Sequence, residues 1–151
     1  MKMSARGLAL LKSFEGFRPE AYPDPATGGE PITIGYGSTH LANGEKVTLG
    51  MKITEAEGEE LLRATLARYE KAVLEAVQHP LTQNEFDACV SLCYNVGPAN
   101  FHHSSVREHA DHGRMREAAN AFLLWDKANH HVMPGLHRRR VAERELFLQD
   151  E

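Results

Sequence analysis

Phe14-Glu15-Gly16-Phe17, Ala21-Tyr22-Pro23-Asp24-Pro25 and Thr33-Ile34-Gly35-Tyr36-Gly37 follow one another between positions 14 and 37. The first closes a helix over residues 4–15. Leu8, Leu11 and Phe14 fall on one stripe, and Gly16 supplies a left-handed stop. The second is stiff, non-helical backbone, because Asp24 stands between two prolines. The third alternates as a strand does and is entered from a turn at Thr27-Gly28-Gly29. Helix, turn and hairpin in so short a space predict a small β-containing lobe at the start of the chain.

Working outward, everything after residue 53 reads as helix. Thr54 and Glu57 form a capping box, and Leu62, Leu66, Tyr69, Val73 and Val77 keep one apolar face until Pro80. Leu81 and Phe86 make a hydrophobic staple around a second box, Thr82 with Glu85, opening a helix that stops near Gly97-Pro98. A further amphipathic helix is predicted over 114–127, burying Met115, Ala119, Phe122 and Trp125. The last starts at Pro134, a favoured first helical position, and runs to about Leu148. The fold class is therefore α+β, mostly α. One domain, 1–151, is expected, with lobes of about 14–60 and 61–151 joined by a long helix and helix 4–15 packed between them.

Composition narrows the function. Charged residues make up 25 % of the 151 and hydrophobic residues 42 %, ordinary values for a globular protein with a real core. No apolar run is long enough to cross a bilayer, and Lys12 interrupts the short patch Gly7 to Leu11, so neither export signal nor stable membrane insertion is expected. The net charge is −4, and residues 54–110 carry 4 basic against 9 acidic groups. A nucleic-acid binder shows the opposite bias. Cys89 and Cys93 share one helix face and read as small buried hydrophobes rather than a disulfide.

Two carboxyls stand out chemically. Glu15 ends a helix beside Phe14 and Phe17, where the negative end of the helix dipole and partial burial both disfavour ionisation. That is what a general acid needs. Asp24, in a turn, is expected to be solvated and ionised. Environments that push two carboxyls apart separate acid from base roles. Thr33 follows the turn and is placed to hold a water near Asp24.

Glu-Gly-Phe-Arg at 15–18, Ala-Tyr-Pro-Asp at 21–24 and Thr-Ile-Gly-Tyr-Gly at 33–37 resemble, in order and spacing, the motifs of phage-type lysozymes (endolysins), glycoside hydrolase family 24. Asn95-Val96-Gly97, Trp125-Asp126-Lys127, Pro134-Gly135-Leu136 and Arg138 to Glu143 extend the resemblance through the helical part. It implies a lysozyme-like fold and hydrolysis of the β-1,4 bond between N-acetylmuramic acid and N-acetylglucosamine in peptidoglycan, with inversion. The family's catalytic Glu, Asp and Thr fall on Glu15, Asp24 and Thr33. Its substrate-contacting positions fall on Thr39, Tyr94, Asn95 and Ser104, which should line a cleft. No metal or organic cofactor is implied. The expected enzyme is a monomer held in the host cytoplasm before lysis and dependent on a holin to reach the wall.

The chain departs from the family pattern in three places. Ser38-Thr39-His40 displaces a histidine that often follows the Gly-Tyr-Gly element, and the interval from Asp24 to Thr33 is long. The doublets His102-His103 and His130-His131 have no suitably spaced Cys or carboxylate and are expected to be solvated loop rather than metal ligands. Arg138, Arg139 and Arg140 either form a solvated face pairing with Glu143 or, as the resemblance implies, send one arginine to Glu15. The rival functions are a catalytically silent wall-binding domain and a lytic transglycosylase. The second has no use for an Asp and Thr that hold water.

Overall fold

A computed structural model describes residues 1–150; Glu151, the last residue of the expected domain, lies outside the described residues. The chain divides into two compact units. Residues Lys12–Ala67 form a hairpin unit, and Met1–Leu11 with Arg68 onward form a helical unit.

The hairpin unit begins with the last turn of α1 (Ala5–Glu15). The Gly16 amide donates to the Lys12 carbonyl at 2.9 Å, and Gly16 takes φ 70°, a conformation costly for any residue with a Cβ. The helix therefore stops where the sequence predicts. β1 (Arg18–Tyr22) pairs antiparallel with β2 (Thr33–Gly35), Arg18 opposite Gly35 and Tyr22 opposite Thr33, with a register irregularity between. Ile34 and Ser38 then exchange both backbone bonds at 2.9 Å, closing a tight turn. Gly35 permits it, with φ 66° and a hypothetical Cβ only 3.1 Å from Ile53 Cδ1. Ile34, Val47 and Leu61 are the unit's buried apolar centre, with Ala21, Ile32, Leu41, Met51 and Ile53 packed around them.

α2 (Glu55–Ala76) opens on the expected capping box. The Thr54 amide donates to Glu57 Oε1 at 2.9 Å, and the Glu57 amide donates to Thr54 Oγ1 at 3.1 Å. Its stripe Leu62, Leu66 and Val73 is buried, as is Val77 just beyond it. In the helical unit, α3 (Gln83–Val96) has the second complete capping box, Thr82 with Glu85. Nine of the ten residues from Asn84 to Cys93 are buried, all but Glu85, so α3 is buried all round rather than on a stripe. Cys89 and Cys93 are both buried and unoxidised. Burial pushes both thiols up, Cys93 to about 12, which makes them unreactive packing groups. The chain's start is tied to α3: the Ser4 amide and hydroxyl both donate to Asp87.

Four features differ from the sequence reading. α3 stops at Gly97 as read, but Pro98 opens a short helix, α4 (Pro98–His102), and α5 (Ser105–Asp111) follows, so the exposed His102-His103 doublet ends a helix rather than lying in a loop. The helix expected over 114–127 is α6 (Met115–Ala121) plus a 3-10 turn over Phe122–Trp125. Phe122 is buried against Phe147, with ring centroids 5.5 Å apart, but Trp125 is only half-buried. It closes the 3-10 turn where the chain leaves for a second hairpin, and the buried position falls to Asp126, 6 % exposed. That hairpin joins β3 (Lys127–Ala128) to β4 (His131–Val132) through Asn129 and His130, both at positive φ. Positive φ at both central residues is the geometry of a two-residue hairpin turn, and Asn129 was its one readable signal. The His130-His131 doublet is exposed as expected, but it belongs to this hairpin.

α7 (Pro134–Leu148) starts at Pro134 as predicted. Its arginines do not form a solvated face. Arg138 is exposed, whereas Arg139 and Arg140 are 4 % and 0 % exposed. Both converge on Glu143, itself fully buried. Arg139 Nε lies 3.2 Å from Oε2, Arg140 Nε 2.8 Å from Oε1, and the Ser91 hydroxyl donates to Oε2. The sequence spacing predicts pairing along the helix, but enclosure by α3 comes only from packing, through Ser91.

Candidate active site

Three elements of the hairpin unit carry the residues singled out for chemistry. Glu15 is the last residue of α1 and is half-buried. Asp24 lies in the β1–β2 loop and is half-buried too. The loop folds on itself around it. Asp24 Oδ1 accepts the Ala26 amide at 2.7 Å, its carbonyl accepts the Gly28 amide at 2.7 Å, and its own amide donates to Gly29 O at 2.9 Å. The two flanking prolines and these three bonds leave Asp24 little conformational freedom. Thr33 begins β2, half-buried, its hydroxyl donating to Pro31 O at 3.3 Å.

The ladder relates them. Arg18, three residues after Glu15, is opposite Gly35; Tyr22, two residues before Asp24, is opposite Thr33. One short hairpin thus sets the helix end, the acidic loop and the threonine in a common frame. Of the eight residues between Asp24 and Thr33, those up to Gly29 are taken up by the closed turn at 24–29.

The other four candidates are divided between the units. Thr39, half-buried in the hairpin unit, bonds His40 Nδ1 at 2.9 Å and borders a pocket of about 340 Å³ with Ile32, His40 and Lys46. In the helical unit, Tyr94 stacks edge-on against Tyr69 at 5.1 Å, and Asn95 is exposed on the last turn of α3. Ser104 is 4 % exposed and serves as the N-cap of α5. Its hydroxyl accepts the Arg107 amide at 3.1 Å and donates to Phe101 O at 2.7 Å.

Sequence reasoning passed over a polar cluster in the hairpin unit. The Lys12 ammonium lies 3.1 Å from Glu55 Oε1 and also donates to Glu59, and the Tyr36 hydroxyl donates to Glu55 Oε1 at 2.6 Å. The Tyr36 hydrogen bond, then the Lys12 ammonium, hold Glu55 below the usual carboxylate range; Lys12 and Arg63 do the same for Glu59. Lys12 is raised, chiefly by Glu59. A carboxylate with a depressed folded pKa contributes stability above its unfolded pKa, and that contribution is lost as pH falls through the folded value. Glu55→Gln should therefore have a lower Tm than the parent at neutral pH. The gap should close below the ordinary carboxylate range in a pH series of thermal melts. A gap that stays constant down to the most acidic point would show that Glu55 stabilises through something other than its charge.

Among the described residues, no three His, Cys, Asp or Glu side chains gather as a metal site, and no helix is long and apolar enough to cross a membrane. Comparison with known proteins places the rest. The endolysin of Salmonella phage P22 is 42 % identical over 98 % of this chain and 99 % of its own length. The endolysin of Bacillus phage B103 is 39 % identical over the whole chain, which spans 56 % of that relative's length. The solved muramidase domain of SpmX from Asticaccaulis excentricus superimposes with a TM-score of 0.88 at 39 % identity, covering 99 % of both chains. The phage lysozyme family matches residues 12–143, a span that includes Glu15, Asp24 and Thr33. The chain belongs to the phage lysozyme family.

Proposed function

We propose that this chain is an endolysin-type lysozyme that hydrolyses the β-1,4 bond between N-acetylmuramic acid and N-acetylglucosamine in bacterial peptidoglycan. Glu15 is the general acid. Its proton goes to the glycosidic oxygen as the bond to the muramyl anomeric carbon breaks. Water attacks that carbon from the opposite face, gives its proton to Asp24 and is oriented by the Thr33 hydroxyl. The configuration inverts, a route that needs the two carboxyls about 6.5–9.5 Å apart so that water fits between. No step calls on a cofactor.

The observation that supports this reading is the β1–β2 register, with Arg18 opposite Gly35 and Tyr22 opposite Thr33. It ties the Glu15 helix end, the Asp24 turn and Thr33 to one hairpin, and catalytic groups need a shared frame. Thr39, Tyr94, Asn95 and Ser104 are assigned to glycan contact. The enzyme is assigned to the host cytoplasm before lysis, as a monomer that gains the wall through a holin lesion.

Product analysis tests the chemistry. Mass spectrometry of digested peptidoglycan should show reducing muramyl ends, and NMR during the reaction should show the inverted anomer appearing first. Anhydro-muramyl ends would instead mark a transglycosylase, and an unchanged polymer a silent wall-binding domain.

A further inference from the structure

The last turn of α1 carries Glu15, and the cluster around Lys12 grips that turn. The Lys12 carbonyl accepts the Gly16 amide at 2.9 Å, closing the turn at its C-terminal end. Its ammonium reaches across to α2, to Glu55 Oε1 at 3.1 Å and to Glu59, and stands 5.3 Å from the centroid of the Tyr36 ring. Tyr36, 6 % exposed, is the residue after β2 and the third after Thr33. Its hydroxyl donates at 2.6 Å to the same oxygen of Glu55, and its ring packs on Phe17 with centroids 5.3 Å apart. Arg63 Nε, 3.3 Å from Glu59, holds that carboxylate from the other side. One carboxylate oxygen thus receives a donor from the helix that ends in Glu15 and a donor from the turn after the strand that begins with Thr33.

As a stability device this is modest. Glu55 is 54 % exposed and the Lys12 side chain 21 %, and ion pairs so open to water contribute little to folding. The convergence of two elements on one acceptor is better suited to setting geometry. Hydrogen-bonded pairs from different elements fix distance and angle even where their net free energy is small.

We propose that Lys12 and Tyr36 are positioning residues, which through Glu55 hold the Glu15 turn in register with the Thr33 strand. This rests on the roles given to Glu15 and Thr33 above. Displacing a reacting group by about an ångström can cost on the order of a hundredfold in rate, so a partial loosening should cost about tenfold.

The test uses Lys12→Met, Tyr36→Phe, which keeps the ring and loses only the hydroxyl, and Lys12→Arg, which keeps the charge. Steady-state kinetics on soluble glycan-chain fragments gives kcat and KM. Amide hydrogen exchange at Gly16 reads the turn itself, whether or not the enzyme turns over. Lys12→Met and Tyr36→Phe should each lower kcat about tenfold with KM within about twofold, and speed Gly16 exchange several-fold; Lys12→Arg should restore both. Faster exchange with unchanged kcat would reduce the cluster to a structural tie and overturn the proposal. A lower kcat with unchanged Gly16 exchange would overturn it too, because the turn would not have moved. Were the parent inactive on glycan, the lysozyme reading would fail. Gly16 exchange would then still decide whether the cluster holds the turn, and unchanged exchange would sink it.

Discussion

Glu15→Gln should lower peptidoglycan hydrolysis by about two or more powers of ten, the loss expected when an essential general acid is removed. Gln has nearly the shape of Glu but no transferable proton. The leaving oxygen must then depart unprotonated, and the rate falls in kcat rather than in binding. Glu15 ends a helix whose stop is set by Gly16 and the Lys12 carbonyl, not by the carboxylate, so the fold should survive the exchange. The measurement is turbidity loss of permeabilised bacteria beside a thermal melt of each protein. A variant that keeps half the parent's rate with an unchanged Tm would remove Glu15 from the mechanism.

Glu143→Gln should be the most destabilising near-isosteric change in the helical unit. Glu143 and Arg140 are fully buried and Arg139 nearly so, and the carboxylate takes both guanidiniums and the Ser91 hydroxyl. Burial pushes the Glu143 carboxyl up, while the two arginines and Ser91 pull it back. Replacing such a cluster by apolar groups can be neutral, but removing one partner strands charge in a low-dielectric interior. The expected loss is about 3–5 kcal/mol, which for a chain of this size lowers Tm by roughly 6–20 °C. Gln fills nearly the same volume, so a cavity cannot account for it. Thermal or urea unfolding checks the value. A loss under about 1 kcal/mol would mean that the guanidiniums are satisfied without this charge.

The parts of the fold that the sequence made legible are those written within a few residues. Both capping boxes, Thr54 with Glu57 and Thr82 with Glu85, are formed as read, because donor and acceptor stand three positions apart. Gly16 stops α1 and Pro134 starts α7 for equally local reasons. The errors fall where local signals were weak. The α4 and α5 helices are only five and seven residues long, too short for a periodic stripe to declare itself. In the β3–β4 hairpin the turn pair is Asn129-His130, and the histidine hides a geometry that a glycine there would have announced.

The candidate site divides in the same way. Glu15, Asp24 and Thr33 could be picked out because their motifs are contiguous and ordered along the chain. Which of them share a frame is a matter of strand register, and register is set by pairing across the hairpin. By itself, then, the sequence determined the first hairpin and the long helices with their caps, the family and the residues to suspect, since each follows from neighbours within a turn or a motif. Only the tertiary structure decided that Lys12 and Tyr36 meet on Glu55, and that Arg139 and Arg140 are buried on Glu143 beneath Ser91, 52 positions earlier in the chain. A charged side chain carries no local mark of whether water or a distant partner will solvate it. Packing supplies the partner, and the cost of burying the charge alone makes that partner necessary.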